Sequence, residues 1–592
     1  MYIPTTLEEM NVLGWHQLDV ILVSGDSYID SPYSGVTVIG KVLIKAGCRV
    51  GIIAQPDINS PIDITRLGEP TLFWGVTSGT VDSMVANYTA TLRKRRADDF
   101  TPGGINNHRP DRAVIVYTNL IKRSFKNTKP LVLGGIEASL RRITHYDYWT
   151  NKLRAPILFD SKADLLLYGM AEQSVVELAR ALKEKKSPLA IRGLCYLSKT
   201  IPDQYLQLPS FEEVTAEPET FIQMYHLFYR NNDPLTAKGL AQQKGDRWFV
   251  QNPPARLMTQ VQLDKIYSLG YEREQHPYYD KQGPVKALET IRFSIPTHRG
   301  CYGECNFCAI AVHEGRTVSS RSEGSILAEV EAITQHPKFK GIISDLSGPT
   351  ANMYGFECAK KMNRGVCLDQ RCLFPEICPA LKIDHSRQIE LLKKIRQVPG
   401  VRKVFVGSGI RYDMVLADRY HGSAYLKEIV SHHTSGQMKV APEHADPSVL
   451  KMMGKPPVKS LLDFKEQFEK LTHEAGKDQY LTYYLIAAYP GSSDLEMRHL
   501  KEFVTTRLKL TPEQVQIFTP TPSTYASVMY YTEKDPFTGE SIFVEKNIDR
   551  KIKQKESITL RPVQKTRPQS SVRRIPDKHG YTNNNRSEKS PH

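Results

Sequence analysis

Read from the amino end, apolar residues fall into short unbroken runs separated by stretches with helical spacing. The runs are 18–25, 48–54, 72–76, 112–117, 131–135 and 164–169, each closing on a glycine or a polar turn. Residues 36–46 between the first two have helical length and apolar spacing. A continuous apolar run marks a strand buried on both faces, and strands alternating with helices predict a parallel sheet covered on both sides. We therefore expect an α/β fold class, with a doubly wound domain over 1–195. Such folds bind ligands beyond the carboxyl ends of their strands. The turns at 24–30, 77–80 and 134–139 stand there. The polar-aromatic cluster at 145–149 suits either a pocket wall or a packed helix end. Residues 196–289 show no period and read as a connector on the surface. From 290 the pattern becomes strand, turn, helix, with strands expected at 291–295, 341–345, 402–406, 437–440, 480–487 and 514–518. Six strands in roughly 230 residues suit a partial (β/α)6 barrel better than a closed eight-stranded one. The expected layout is a barrel over 290–530 with a cysteine-rich insertion at 351–385. A basic extension, 531–592, follows it.

Composition narrows the class. Of 592 residues, 40% are apolar and 24% charged, the balance of a folded soluble chain. No apolar run approaches the roughly 18 residues of a membrane span, so no membrane partner is expected. The first ten residues are acidic and lack a basic region followed by an apolar core, so no signal peptide is expected and the location is expected to be cytoplasmic. The net charge is +15, but residues 551–592 hold eleven Lys/Arg against three acids, over half the excess. Beyond about 548 the chain is rich in Lys, Arg, Pro, Ser and Asn and is expected to be disordered. It reads as a solvated tail, with RNA phosphates as a partner that such a tail is able to bind.

The chemistry gathers in the cysteines. There are nine, seven of them from Cys301 to Cys378, a clustering that suits metal rather than disulfides. Cys301, Cys305 and Cys308 stand at C-x3-C-x2-C directly after the first barrel strand. Thiolates select zinc, copper(I) or iron–sulfur clusters. Three ligands on one tight loop leave a cubane iron without a protein ligand, and an open metal position is where chemistry occurs. The other readings are a zinc site with His298 or His313 as fourth ligand, or three reduced core thiols. A second set, Cys358, Cys367, Cys372 and Cys378, with His385 beyond, fits an auxiliary iron–sulfur cluster, a structural zinc, or free thiols.

C-x3-C-x2-C with Phe307 before the last cysteine resembles the radical S-adenosylmethionine (SAM) superfamily. The resemblance implies a 4Fe–4S cluster on Cys301, Cys305 and Cys308. Its free iron would chelate SAM, and one electron would release a 5′-deoxyadenosyl radical that abstracts hydrogen from a substrate. It also implies Phe307 near the adenine, Ser347 and Gly348 near the SAM amino group, Ser408 near ribose or carboxylate, and Arg411 near the carboxylate. An electron donor such as flavodoxin or ferredoxin would be a partner. The first domain resembles the cobalamin-binding-like domain that precedes many radical SAM barrels. The D-x-H-x-x-G motif that ligates cobalt is absent, so cobalamin is not expected and a capping or substrate-binding sheet is. Thr101-Pro102-Gly103-Gly104, Arg109-Pro110-Asp111-Arg112, Gly134-Gly135-Ile136-Glu137-Ala138-Ser139-Leu140-Arg141-Arg142, Asp160-Ser161-Lys162-Ala163-Asp164, Ala441-Pro442-Glu443-His444 and Phe518-Thr519-Pro520-Thr521-Pro522 together resemble YgiQ-type radical SAM proteins. One departure is Asp30-Ser31-Pro32, which lacks the histidine expected before the proline. The expected function is a radical SAM enzyme. The alternatives are an RNA-modifying methyl- or methylthio-transferase and a non-catalytic, metal-stapled RNA-binding or scaffold protein.

Overall fold

The unbroken apolar runs become strands buried on both faces. In the computed structural model, which describes residues 1–512 and 515–559, five of them pair in parallel: β1 (Val20–Ser24), β2 (Val50–Ala54), β3 (Phe73–Thr77), β4 (Leu131–Leu133) and β5 (Leu165–Leu167). Their order is β2-β1-β3-β4-β5. This is the doubly wound order whose ligand crevice lies between β1 and β3, where the winding reverses. Helices α1 (Gly35–Lys45) and α3 (Glu172–Lys183) cover one face, packing Val36 and Val175 over Leu22, Phe73 and Val132. Helix α2 (Ala113–Ser124) covers the other, over Ile21, Val23 and Trp74.

Helix α2 corrects the strand expected at 112–117. The six-residue run is too short to show its period. Buried Ala113, Val114, Tyr117, Leu120 and Ile121 have helical spacing only when the stretch is followed to Ser124. The connector is corrected as well. The sheet continues through β6 (Leu194–Ser198), β7 (Leu206–Leu208), β8 (Leu240–Lys244) and β9 (Arg247–Gln251), in the order β5-β6-β9-β8-β7. A boundary at 195 cuts β6. The β8–β9 hairpin turns on Gly245-Asp246, with Lys244 opposite Arg247 and Gly245 at φ 58°. That dipeptide between alternating residues is a hairpin signal. The glutamines of β8 hide it.

The second half holds the short parallel strands β10 (Ser294–Pro296), β11 (Ile342–Ile343), β12 (Asp345–Ser347), β13 (Lys403–Val404), β14 (Gln437–Glu443), β15 (Tyr480–Ala487) and β16 (Gln516–Ile517). β10 pairs with β12, β11 with β13, β14 with β15 and β15 with β16, all in parallel. Ile410 bridges to Val440 between the middle pairs. With β11 and β12 read as one interrupted strand, these are the six expected positions. The first starts at 294 because Leu288–Ile291 is helical. Barrel strands alternate. Met438, Val440, Leu485 and Ala487 face the helices, while Gln437, Lys439, Tyr480 and Tyr484 are exposed.

The tail expectation holds less far than composition suggested. α4 (Tyr525–Thr532) and α5 (Ile548–Ile558) are ordered helices, so disorder does not begin at 548. Asn547 caps α5 by accepting the Arg550 N–H at 3.0 Å. Ile558 enters the barrel core, and Lys551 is fully buried against the hydroxyls of Tyr148 (3.1 Å) and Tyr530 (2.7 Å). The expectations for 560–592, RNA contact included, lie outside the described residues. No helix among the described residues is long and apolar enough to cross a membrane.

Candidate active site

The cysteine loop leaves the carboxyl end of β10, where barrel chemistry is placed. Its path is set by two left-handed residues. Gly300 has φ 83°, and a Cβ there would lie 2.2 Å from the Thr317 carbonyl oxygen, so glycine is required. Glu304 has φ 47°, unusual for a residue with a side chain. Its carboxylate is held by the Tyr229 hydroxyl at 3.0 Å and Arg316 at 3.4 Å. Asn306 anchors the loop by donating its N–H and side-chain amide to the carbonyls of Met453 (2.9 Å) and Met452 (2.7 Å).

The thiols meet a sulfur-facing shell. The Gly303 N–H donates to Cys301 Sγ at 3.3 Å, Thr350 Oγ1 lies 3.6 Å from the same sulfur, and Arg411 Nη1 lies 3.8 Å from Cys305 Sγ. A Cβ on Gly303 would stand 3.3 Å from Cys301 Sγ and 3.6 Å from Cys305 Sγ. Burial pushes the Cys301 and Cys308 thiols up, which a bound metal reverses by taking thiolate. Tetrahedral zinc at about 2.3 Å from each sulfur needs sulfurs roughly 3.8 Å apart. Among the described residues, three His, Cys, Asp or Glu donors gather within 4.8 Å only at Asp384, Asp418 and His421, and at neither cysteine set. The donor set of the first loop thus fits a larger soft cluster better than a zinc ion.

The other expected residues divide. Gly348 lies against His298 so closely that a Cβ would stand 2.2 Å from the imidazole. Ser347 lies in β12, its backbone opposite Pro296. Ser408 donates its hydroxyl to Asp345 at 2.5 Å, and Asp345 also accepts the Gly407 N–H at 2.7 Å. Burial pushes the Asp345 carboxyl up despite these bonds. Arg411 is committed to both oxygens of Asp413, at 2.8 and 2.6 Å, leaving the edge that faces Cys305. Phe307 packs edge-on against Tyr489, 6.3 Å between centroids. In the second set, Cys358 and Cys372 are buried in an apolar cluster with Tyr302 and Phe356 beneath the loop, and Cys367 and Cys378 are partly exposed. His385 stands apart from them, bonded to Asp418 at 2.8 Å and Asn352 at 3.2 Å.

Sheet and barrel enclose a cavity of about 750 Å³, within the roughly 300–1,000 Å³ of small-molecule sites. The domain side supplies the ends of β1 and β3 (Ser24, Asp26, Thr77, Gly79), the turn at Gly134 and Gly135, and Glu172. The barrel side supplies His298, Arg299, His313, Gly348, Ser408 and Lys439. Asp26 closes the β1–β3 turn by accepting the Thr80 N–H at 2.6 Å and pairing with Arg109 at 2.7 Å. Burial holds His298 and His313 neutral, each with pKa lowered to about 4. Arg299 pairs with Glu172 across the cavity wall and donates to the Tyr267 hydroxyl at 3.1 Å. Sequence reasoning named His313 only as a fourth zinc ligand, not as a wall of this cavity, and missed Glu172. Glu172 was within reach of the strand-end rule, three residues past the Gly169 that closes β5.

Comparison with known proteins follows this geometry. The Radical SAM N-terminal family model matches residues 2–294, the sheet including its antiparallel extension. A UPF0313 protein of Fusobacterium nucleatum is 58% identical over 94% of this chain and 98% of its own length. One from Thermotoga neapolitana is 49% identical over 95% and 99%. Among solved structures, TsrM of Kitasatospora setae, a radical SAM methyltransferase with cobalamin and a [4Fe–4S] cluster bound, aligns over 86% of this chain and 77% of its own at 14% identity and TM-score 0.47. OxsB, a cobalamin-dependent SAM radical enzyme with aqua-cobalamin bound, aligns over 88% and 56% at 12% identity and TM-score 0.48. On the strength of its sequence relatives, the chain belongs to the UPF0313 family of YgiQ-type radical SAM proteins.

Proposed function

We propose that this protein is a radical SAM enzyme whose cluster is held by Cys301, Cys305 and Cys308 and whose substrate occupies the cavity between sheet and barrel. The observation that carries the reading is the cysteine loop at the end of β10, with sulfur-facing donors from Gly303 and Arg411, entered directly from His298 and Arg299, which line that cavity. When bound, a 4Fe–4S cluster supplies the electron that cleaves SAM to a 5′-deoxyadenosyl radical. The chain's own residues prepare this. The N–H of Gly303 and the guanidinium of Arg411 favour negative charge on the sulfurs. Gly348, Ser408 and Asp345 form the polar ledge at the barrel mouth that would take the amino-acid part of SAM. The sheet closes the site from above and excludes water, which protects a reactive intermediate. The same reading implies a low-potential one-electron donor and a reducing compartment such as the cytoplasm.

Anaerobic reconstitution tests it, with iron and sulfide counted and 5′-deoxyadenosine assayed under a low-potential reductant. About four irons per chain with deoxyadenosine formed is the expected result. Zinc in place of iron, with no SAM cleaved while a control enzyme works, would sink the proposal.

A further inference from the structure

The cavity has two unlike ends. One arm is apolar, closed by Leu22, Val36, Ile39, Phe73, Val132 and Val175 between α1, α3 and the sheet. The other end, where the strand ends of the sheet face the barrel, is crowded with acceptors. Asp26, Glu172, Glu289, Glu314 and Asp345 line the cavity against Arg299 and Lys439 as its cations. Arg109 offsets Asp26 from behind, and Arg299 takes one oxygen of Glu172. The other Glu172 oxygen is buried with no hydrogen-bond partner, and so is Nδ1 of His313. Glu172 is 5% exposed. A buried acceptor left unpaired costs about 1–3 kcal/mol, so the second Glu172 oxygen marks where a ligand's donor belongs, and the His313 ring nitrogen marks a second polar contact. An excess of carboxylates in a low-dielectric pocket favours a cation and opposes an anion.

We propose that the cavity takes an amphiphilic substrate: an apolar chain or ring lying between α1 and α3, and an amine or similar N–H-rich cationic head at Glu172 and His313. Calling this ligand a substrate rests on the radical SAM reading. The selectivity of the cavity does not. The head sits beside Arg299, two residues before Cys301, and the arm points away from the cysteine loop under the sheet.

The test uses three probes of one shape, 4-phenylbutylamine, 4-phenylbutanol and 4-phenylbutyrate. They are titrated by ligand-observed NMR onto the full-length protein, reconstituted anaerobically, with SAM present. The amine is expected to bind at millimolar concentration or below and at least about tenfold more tightly than the carboxylate, with the alcohol between them. Glu172→Gln should bring the amine-to-carboxylate ratio close to one, an effect that a merely structural role for Glu172 would not produce. Val175→Phe fills the arm and should weaken all three probes about tenfold. Ile39→Phe carries that arm of the test if Val175→Phe lowers the melting transition. No binding of the amine, a preference for the carboxylate, or a ratio unmoved by Glu172→Gln overturns the proposal. Protein that keeps the ratio yet cleaves no SAM would sink the radical SAM reading and leave the cavity's selectivity standing.

Discussion

The nine-stranded sheet and the strands of the second half are built on opposite rules. In β1 and β2 every residue is buried, because helices lie on both faces. From Gln437 to Val440 in β14 residues alternate exposed and buried, because helices lie on one face only and the other opens into the barrel. The first sheet therefore spends its side chains on packing and leaves chemistry to the turns at its strand ends. The barrel also presents polar side chains to the cavity, among them Lys439, Ser408 and Asp345. A side chain inside the first sheet is a matter of stability, and one facing the barrel interior is a matter of ligands.

Substitutions break or sharpen this contrast. Cys305→Ala should have the largest effect, abolishing SAM cleavage and bound iron while far-UV dichroism and the melting of the sheet stay near wild type. Retained cleavage would refute the assignment. Ile21→Ala, in the middle of the first sheet, should cost about 2–5 kcal/mol in denaturant unfolding. Gly348→Ala forces a methyl against the His298 ring and should cost about 1–3 kcal/mol, with SAM affinity falling alongside it. His444→Gln reads the pH dependence of the barrel. His444 is fully buried, accepts the Asp446 N–H at 3.0 Å and has its pKa lowered to about 4 by burial. The unfolded chain binds this proton near the ordinary value of about 6.5 and the folded chain does not, so its contribution is complete above about 6.5 and is lost as pH falls toward about 4. The deficit of the glutamine variant should be about 1–3 kcal/mol at neutral pH and shrink in urea titrations near pH 5. Lys439→Met should have the smallest effect on stability, within about 0.5 kcal/mol, and show itself in ligand affinity.

The same contrast decides what the sequence could reveal. Two-sided burial leaves uninterrupted runs such as Val20-Ile21-Leu22-Val23, so the parallel strands were legible. The strand positions of the second half were legible from their recurrence, and the cysteine loop from spacing. The strands of 206–251 were not, because strands of three to five residues satisfy their backbone with little apolar content; Gln242 and Gln243 sit within β8. Run length misled at α2. Composition misled at α5, where Lys551 and Gln554 count as polar yet are buried, the lysine between two tyrosines and the amide on the Ser492 carbonyl at 3.2 Å. Of the candidate site, the residues on the loop and strand ends were readable. The pairing of Arg411 with Asp413 and the enclosure of Glu172 and His313 arise from tertiary placement, which no local pattern records.

The Lys551–Tyr148 contact joins residues 403 positions apart. During synthesis it cannot form until α5 has emerged, by which time the three cysteines have long been outside. The chain thus carries its own order of assembly. The early sheet and the cysteine loop precede the clasp.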